Sequence, residues 1–213
     1  LVSENSYKDW VTQSLGPSIK SGLEICILAA GLSTRLGQPK QLVPIRGVPL
    51  IRHIVLTALG VGVSVSVVVS PMVDLSETLA DLEIKLITNQ NPSLGLGSSI
   101  KLAASYAKAA HLRACLFLLG DQPFIGLDHL RRLVSLSEAR PQSIIATAYP
   151  QGGPGVPALF PAIFFDDLLA IQDQCGAKGV IQSDKSHVAI PTDQESLFDL
   201  DTPEDLVLLA QRL

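Results

Sequence analysis

From residue 23 onward, continuous apolar runs alternate with segments whose apolar residues recur at helical spacing. LEICILAA (23–30) is an unbroken apolar run and reads as a strand. In PLIRHIVLTALG (49–60), Leu50, Ile54, Val55 and Ala58 share one helical face, and Gly60 is a stop signal. VSVSVVVS (63–70) predicts a strand ended by Pro71, residues 72–82 a helix, and IKLITN (84–89) a short strand. A Gly/Ser loop, NPSLGLGSS, then leads into a helix predicted over 100–111. ACLFLLG (114–120) is apolar without alternation, the mark of a strand covered on both faces. A helix over 128–139 and a strand over 143–149 follow. QGGPGVP reads as a loop, and ALFP comes after it. One or two short helices fall within 162–183, with short strands at SHVAIP and SLFDL. TPEDLVLLAQRL closes the chain as a helix, with Thr202 as its cap, Pro203 in its first turn, and Glu204 and Asp205 near its positive dipole end.

This succession predicts an α/β fold, a mostly parallel sheet with helices on both faces. Ligands of such sheets bind beyond the carboxyl ends of the strands. Four loops should therefore converge on one edge: Gly31 to Lys40, Gly95 to Ser99, Asp121 to Pro123, and Gly152 to Pro157. Residues 1–22 are polar and irregular and read as a lead-in segment, leaving 23–213 as one domain.

Composition narrows the partners. At 213 residues the chain is long enough to bury a core without staples. Its net charge of -4, with no basic block, excludes the clustered cationic face that duplex nucleic acid requires. A free nucleotide needs only a local cationic pocket. No run of about 18 apolar residues exists to span a membrane, and the first residues show no signal pattern. The three cysteines, Cys26, Cys115 and Cys175, form no C-x-x-C and predict a reducing, cytoplasmic setting. The histidines His53, His111, His129 and His187 show no metal-ligand spacing and read as structural or solvent-facing.

The chemistry concentrates in three motifs. LAAGLSTRLGQPK (28–40) places Arg35 and Lys40 in a loop with Gly31 and Gly37. Gln38 after Gly37 breaks the Walker pattern, and the glycine spacing breaks the dinucleotide one. The loop reads either as an anion cradle of backbone N–H groups with two cations, or as a plain turn. In GDQP, Asp121 directly follows an apolar strand. It suits a hard cation such as Mg²⁺, or else an Asx turn before the next helix. In DLDTPEDL, Asp199 and Asp201 lie two apart, and extended backbone would point both to the same side. Asp201 is the better second metal contact.

In their order and spacing these motifs resemble the MobA-like nucleotidyltransferases, most of all the MocA-type molybdenum cofactor cytidylyltransferases, from about residue 23 to the C-terminus. The resemblance implies a three-layer Rossmann-like fold of the nucleotide-diphospho-sugar transferase type, with a mostly parallel, mixed sheet. It implies a nucleoside triphosphate held by Leu28, Ala29, Ala30, Gly31, Ser33 and Gly37, with Asn91, Gly95, Ser98 and Ser99 on the base side. Arg35 and Lys40 would contact phosphates, and Asp121 and Asp201 would hold Mg²⁺ or Mn²⁺. Members using GTP tend to carry L-A-G-G, so Ala29-Ala30-Gly31 favours CTP over GTP. The acceptor implied is molybdopterin, and the recipient of the product a molybdoenzyme. Gly155, Val156 and Pro157 stand where many relatives have G-H-P, and Lys178 stands in a near match to D-x-G-A-[KR]; both would face the acceptor. Two alternatives remain open: a sugar- or polyol-phosphate nucleotidyltransferase, and a non-catalytic molybdenum cofactor binding or delivery protein.

Overall fold

The computed structural model describes residues 22–213; the expectation of a lead-in segment falls on residues 1–21, outside the described residues, apart from Gly22. A seven-stranded sheet forms the middle layer. Its strands are β1 (Leu23–Leu28), β4 (Ser64–Val69), β5 (Lys85–Thr88), β6 (Ala114–Leu119), β7 (Ile145–Tyr149), β8 (Gly153–Pro161) and β9 (Val188–Pro191). A small hairpin, β2 (Pro44–Ile45) and β3 (Val48–Pro49), stands apart from it. The helices are α1 (Leu50–Leu59), α2 (Ser76–Leu79), α3 (Leu96–Ala109), α4 (Leu127–Ala139), α5 (Phe165–Leu169), α6 (Lys178–Ser183) and α7 (Pro203–Arg212).

The sheet order is β5-β4-β1-β6-β8-β7-β9. Only β8 runs against the rest, pairing antiparallel with β6 and β7. The expected mixed, mostly parallel α/β sheet is present. Its central strands are largely apolar, Glu24 in β1 and Ser64 and Ser66 in β4 excepted, because each face is covered, and alternate residues enter different cores. Ile25 and Ile27 pack in the core shared with α1 and α4, together with Leu50, Ile54 and Leu130. Cys26 and Leu28 enter the opposite core with α3 and α5, through Ile100, Ala104, Phe165 and Leu168. Phe117 and Phe160 meet there across β6 and β8, with ring centroids 5.3 Å apart.

Four sequence expectations about elements are corrected. The Gly95–Ser99 loop is largely helix, because α3 begins at Leu96, one turn before the expected start. The segment 72–82 keeps only the short α2, with turns on either side. SLFDL is not a strand: a 3₁₀ turn over Glu195–Leu197 is followed by backbone that joins no sheet.

The largest correction is QGGPGVP, which is mostly strand rather than loop. Ala158, Leu159 and Phe160 are fully buried and carry β8 between two neighbours. Proline lacks a ladder donor and normally stays at edges and bulges. Here the register shifts between Ala146 and Thr147, so Val156 and Pro157 fall at a bulge. Side chains of β7 satisfy the carbonyls this frees. Thr147 Oγ1 donates to Pro157 O at 2.7 Å, and Tyr149 Oη donates to Val156 O at 2.5 Å.

The connection after β1 leads to β4 on one side, while β6 lies on the other. A crevice at such a switch point is the usual ligand site. It opens where Gly120 passes Ala29: a Cβ at Gly120 would lie 2.7 Å from Ala29 Cβ and 3.1 Å from Leu28 O. Gly120→Ala should therefore cost about 1–3 kcal/mol, the usual scale of overpacking. Urea denaturation will show it as a lowered midpoint, and an unchanged midpoint would mean that the strand ends part without strain.

Candidate functional site

The loop after β1 is shaped by its own polar atoms. Ser33 adopts positive φ (54°), and its carbonyl accepts from the N–H groups of both Leu36 and Gly37 at 3.1 Å. Its hydroxyl accepts from Lys40 N at 3.1 Å. Leu36 is buried in the core and anchors the loop. Gln41 then pins the strand exit, its Nε2 donating to Ala29 O at 2.8 Å and Gly31 O at 2.9 Å. The folded loop delivers Lys40 to the mouth of the crevice.

There Lys40 Nζ lies 2.6 Å from Asp121 Oδ2 and 3.4 Å from Asp201 Oδ1. Arg35 forms a further ion pair with Asp201. Burial alone would push the Lys40 ammonium toward neutrality, but the two carboxylates outweigh it and hold its pKa above the ordinary value. Asp121 Oδ1 is buried and has no protein partner. Asp201 reaches the cluster because Leu200 N donates to Asp121 O at 2.9 Å, tying the segment before α7 to the end of β6. The capping box of Thr202 and Asp205 starts α7 immediately afterwards.

A cleft of about 500 Å³ opens on this cluster. Of the residues singled out by sequence, Leu28, Ala29, Ala30, Gly31, Arg35, Lys40, Gly95, Ser99, Asp121 and Asp201 line it. Ser33, Gly37, Asn91 and Ser98 do not; Thr34, Pro92, Ser93 and Leu96 stand on the wall instead. Ser33 and Ser98 serve the loops internally. Asn89 Nδ2 donates to Ser98 Oγ at 2.9 Å and Ser99 Oγ at 3.0 Å, and Ser98 Oγ donates to Gly95 O at 2.7 Å.

A second, larger cavity of about 770 Å³ has Asp199 on its wall. Tyr149, Gly155, Lys178, Phe198, Asp199 and Arg212 are on its walls. Val156 and Pro157 are not, since both sit at the bulge of β8. Asp199 and Asp201, expected on one side, line different cavities. Gln122 explains the split. Its buried Nε2 donates to Asp199 Oδ1 and Tyr149 Oη, both at 2.9 Å, and so holds Asp199 on the larger cavity. Burial and the nearby Asp121 charge raise the Asp199 carboxyl above its usual range, against the Gln122 hydrogen bond and the Lys40 charge. Burial likewise raises the Tyr149 phenol.

Gln41, Asn89, Gln122 and Tyr149 are the site-building residues that sequence reasoning missed. Gln41 and Gln122 each adjoin a residue already singled out, and that adjacency was the available signal. Among the described residues no group of three His, Cys, Asp or Glu forms a metal cluster. His53 and His129 hold structure: His53 Nε2 meets Pro123 O at 2.9 Å, and His129 Nε2 meets Thr147 Oγ1 at 2.8 Å, while His111 is exposed.

Residues 25–189 match the family model described as MobA-like NTP transferase domain. The bifunctional protein GlmU of Pseudomonas paraeruginosa is 36% identical over 117 residues, 53% of this chain and 25% of that protein, so the match spans only a quarter of that relative's length. The solved structure of a Mycobacterium sp. strain JC1 homologue of Mycobacterium tuberculosis Rv0371c is 28% identical, with TM-score 0.70, covering 90% of this chain and 96% of its own. A nucleotidyl transferase from Methanothermobacter, Mth528, superposes with TM-score 0.75 at 20% identity, covering 90% of this chain and 97% of its own.

The raised pKa of Lys40 has a direct consequence for stability. Its ion pairs contribute fully below the ordinary lysine value of 10.5 and are lost as pH rises through the higher folded value. The difference in urea midpoint between the native chain and Lys40→Met should stay constant from the neutral range up to that value and shrink above it. A difference that shrinks as pH falls through the neutral range would contradict this.

Proposed function

The chain belongs to the MobA-like NTP transferase domain family, and from that premise we propose that it transfers CMP from CTP to molybdopterin, releasing pyrophosphate. The observation that carries this reading is the convergence of Lys40, Arg35, Asp121 and Asp201 on the smaller cleft, with Asp199, two residues from Asp201, on the wall of the larger cavity. Transfer from a nucleotide to a second molecule needs two pockets that meet at the reacting phosphorus.

In this reading the smaller cleft takes CTP. Ala29, Ala30 and Gly31 let the nucleotide approach backbone closely, while Gly95 and Ser99 lie toward the base. Lys40 and Arg35 face the phosphates and offset the charge that gathers on the departing pyrophosphate. The larger cavity takes the acceptor. Its volume of about 770 Å³ exceeds what a small polyol phosphate needs, and Tyr149 and Phe198 give it aromatic wall. Lys178 supplies a cation for the terminal phosphate, with Gly155 leaving room beside it. Gly155, Val156 and Pro157 thus enter the acceptor side through different atoms. Only Gly155 is on the cavity wall, while Val156 and Pro157 give their carbonyls to Tyr149 and Thr147.

A phosphate oxygen of the acceptor attacks the α-phosphorus, a new P–O bond forms, and the bond to the β-phosphate oxygen breaks. The attacking oxygen is already anionic, so no general base is required. The work is in-line positioning and charge neutralisation. Asp121 and Asp201 fit a divalent ion, Mg²⁺ or Mn²⁺. The unpartnered Oδ1 of Asp121 is free to ligate, and a Lys40 cation already stands between the two carboxylates. Magnesium keeps water and phosphate oxygens beside one or two carboxylates, so a two-aspartate set suffices. Once bound, the ion would neutralise phosphate oxygens of the nucleotide.

No helix among the described residues is long and apolar enough to cross a membrane. The cysteines Cys26, Cys115 and Cys175 are free, in keeping with a cytoplasmic setting and delivery of the product to a molybdoenzyme.

Pyrophosphate release measured with CTP, Mg²⁺ and molybdopterin tests the reading. Asp121→Ala or Lys40→Ala should lose on the order of 10²-fold in turnover, the scale of one preorganised electrostatic contact. Wild-type turnover in either variant would remove its assigned role. Stabilisation by GTP but not CTP would overturn the base assignment. Pyrophosphate released with a sugar 1-phosphate instead of molybdopterin would give the sugar-phosphate reading, and molybdopterin binding without any release would give the delivery protein.

A further inference from the structure

Gly95 and Gly97 lie at the start of α3, and what they approach is another stretch of the same chain. A Cβ on Gly97 would lie 2.2 Å from Gln172 O and 2.8 Å from Asp173 O. One on Gly95 would lie 2.8 Å from Asp173 O and 3.1 Å from Gln174 Cα, and Gly95 also has a φ of +114°. These are backbone contacts, so no side-chain rotation relieves them. Gly97 N donates to Asp173 O at 2.7 Å, and Lys101, one turn further along α3, forms an ion pair with the Asp173 carboxylate. The segment closes on itself where Cys175 N donates to Gln172 O at 3.0 Å. Ala177 is then buried against the core, and α6 begins at Lys178.

The segment 172–176 is thus a strap clamped onto the N-terminal turn of α3. That turn carries Gly95, Leu96 and Ser99 on the wall of the nucleotide cleft. Four residues past Gln174, the strap delivers Lys178 to the wall of the larger cavity. The contact thus links a wall of the smaller cleft to a wall of the larger cavity.

We infer that Asp173 and Gly97 are positioning residues that dock this strap on α3 and thereby fix Lys178 for the acceptor phosphate. The inference rests on the two-pocket reading above. It assigns the close approach at Gly97 to the acceptor half of the site, although α3 walls the nucleotide half. An ammonium displaced by about 1 Å loses much of its hold on a phosphate, a scale that can reach 10²-fold in rate. Binding of CTP, which does not touch Lys178, should change little.

The experiment compares the native chain with Gly97→Ala and Asp173→Ala. Calorimetric CTP affinity, the KM for molybdopterin, and the rate at which iodoacetamide alkylates Cys175 are measured for each. Cys175 is exposed on the strap while Cys26 and Cys115 are buried, so alkylation reports the strap alone. Gly97→Ala should raise the molybdopterin KM about 10-fold or more and Asp173→Ala, which removes only the Lys101 ion pair, by a smaller factor, with CTP affinity within about 3-fold and Cys175 alkylation accelerated in both. Equal loss toward both substrates, or a wild-type molybdopterin KM in both variants, would overturn the inference. Should Gly97→Ala fail to fold, the exchanged pair Lys101→Asp with Asp173→Lys decides. Partial recovery of the molybdopterin KM relative to Asp173→Lys alone supports the docking, and no recovery counts against it. A native chain that binds CTP yet releases no pyrophosphate would refute the proposed reaction. In that case the docking is judged on alkylation alone, and unaltered Cys175 rates would refute it separately.

Discussion

The Lys40 ammonium between two carboxylates is the interaction on which the rest of the site depends. It gathers three distant stretches of chain: the loop after β1, the end of β6, and the segment leading into α7. A lysine this buried would be costly alone, and each aspartate beside it would be costly without the lysine. Together with the Arg35 pair on Asp201, two cations face two carboxylates and the cluster is neutral. The neutrality matters for the proposed chemistry. When a polyphosphate with a divalent ion enters, cationic side chains can turn toward phosphate while the carboxylates keep an opposite charge. No group is left unpaired in low dielectric during the exchange, so the ionic cost of entry is small.

The sheet provides the ground for this cluster through two departures from uniformity. The first is the switch point between β1 and β6, where neighbouring strands send their connections to opposite sides. The second is the reversal of β8, which directs the Gly153–Gly155 end toward the same edge as the carboxyl end of β6. That brings small residues, rather than a returning helix, beside Asp199 and Tyr149, and the larger cavity results. The bulge in β7 and β8 keeps this arrangement satisfied, because Thr147 and Tyr149 take up the carbonyls that leave the ladder. Hydrogen bonds of this kind at a bulge stiffen the wall of the cavity.

The regular parts of this fold were legible where burial alone decides structure. The runs at 23–30, 63–70 and 114–120 are apolar because both faces of their strands are covered, and they lie in the centre of the sheet. The start of α7 was legible for a different reason: Thr202 and Asp205 form a local motif that needs no tertiary partner. The failures share one cause. Gly153 to Pro157 has the composition of a loop, and its strand exists only through partners on β6 and β7 far along the chain. SLFDL has the pattern of a strand but no neighbour that offers it a ladder. At the site, Lys40 and Asp121 were visible in their motifs, whereas Gln41 and Gln122 were passed over. A single glutamine carries no pattern, and its importance comes from which carbonyls and carboxylates surround it after folding.

Glycine shows the same limit in sharper form, and it changes how the loops should be weighed. A glycine serves either positive φ or close approach, and sequence does not distinguish the approaching group. Gly95 and Gly97 stand in a Gly/Ser stretch that the resemblance assigns to the base side of a nucleotide, yet the atoms pressed against them are backbone atoms of 172–174. Gly31, in the first loop, has only the Lys40 side chain within 4 Å of its missing Cβ, at 3.6 Å. Its openness faces the cleft, where a bound nucleotide would come. The two glycine-rich segments therefore do different work: the first leaves space for a ligand, and the second is closed by the protein itself. Where α3 meets the strap, the face turned to the cleft includes the side chains of Leu96 and Ser99 rather than bare glycine backbone alone.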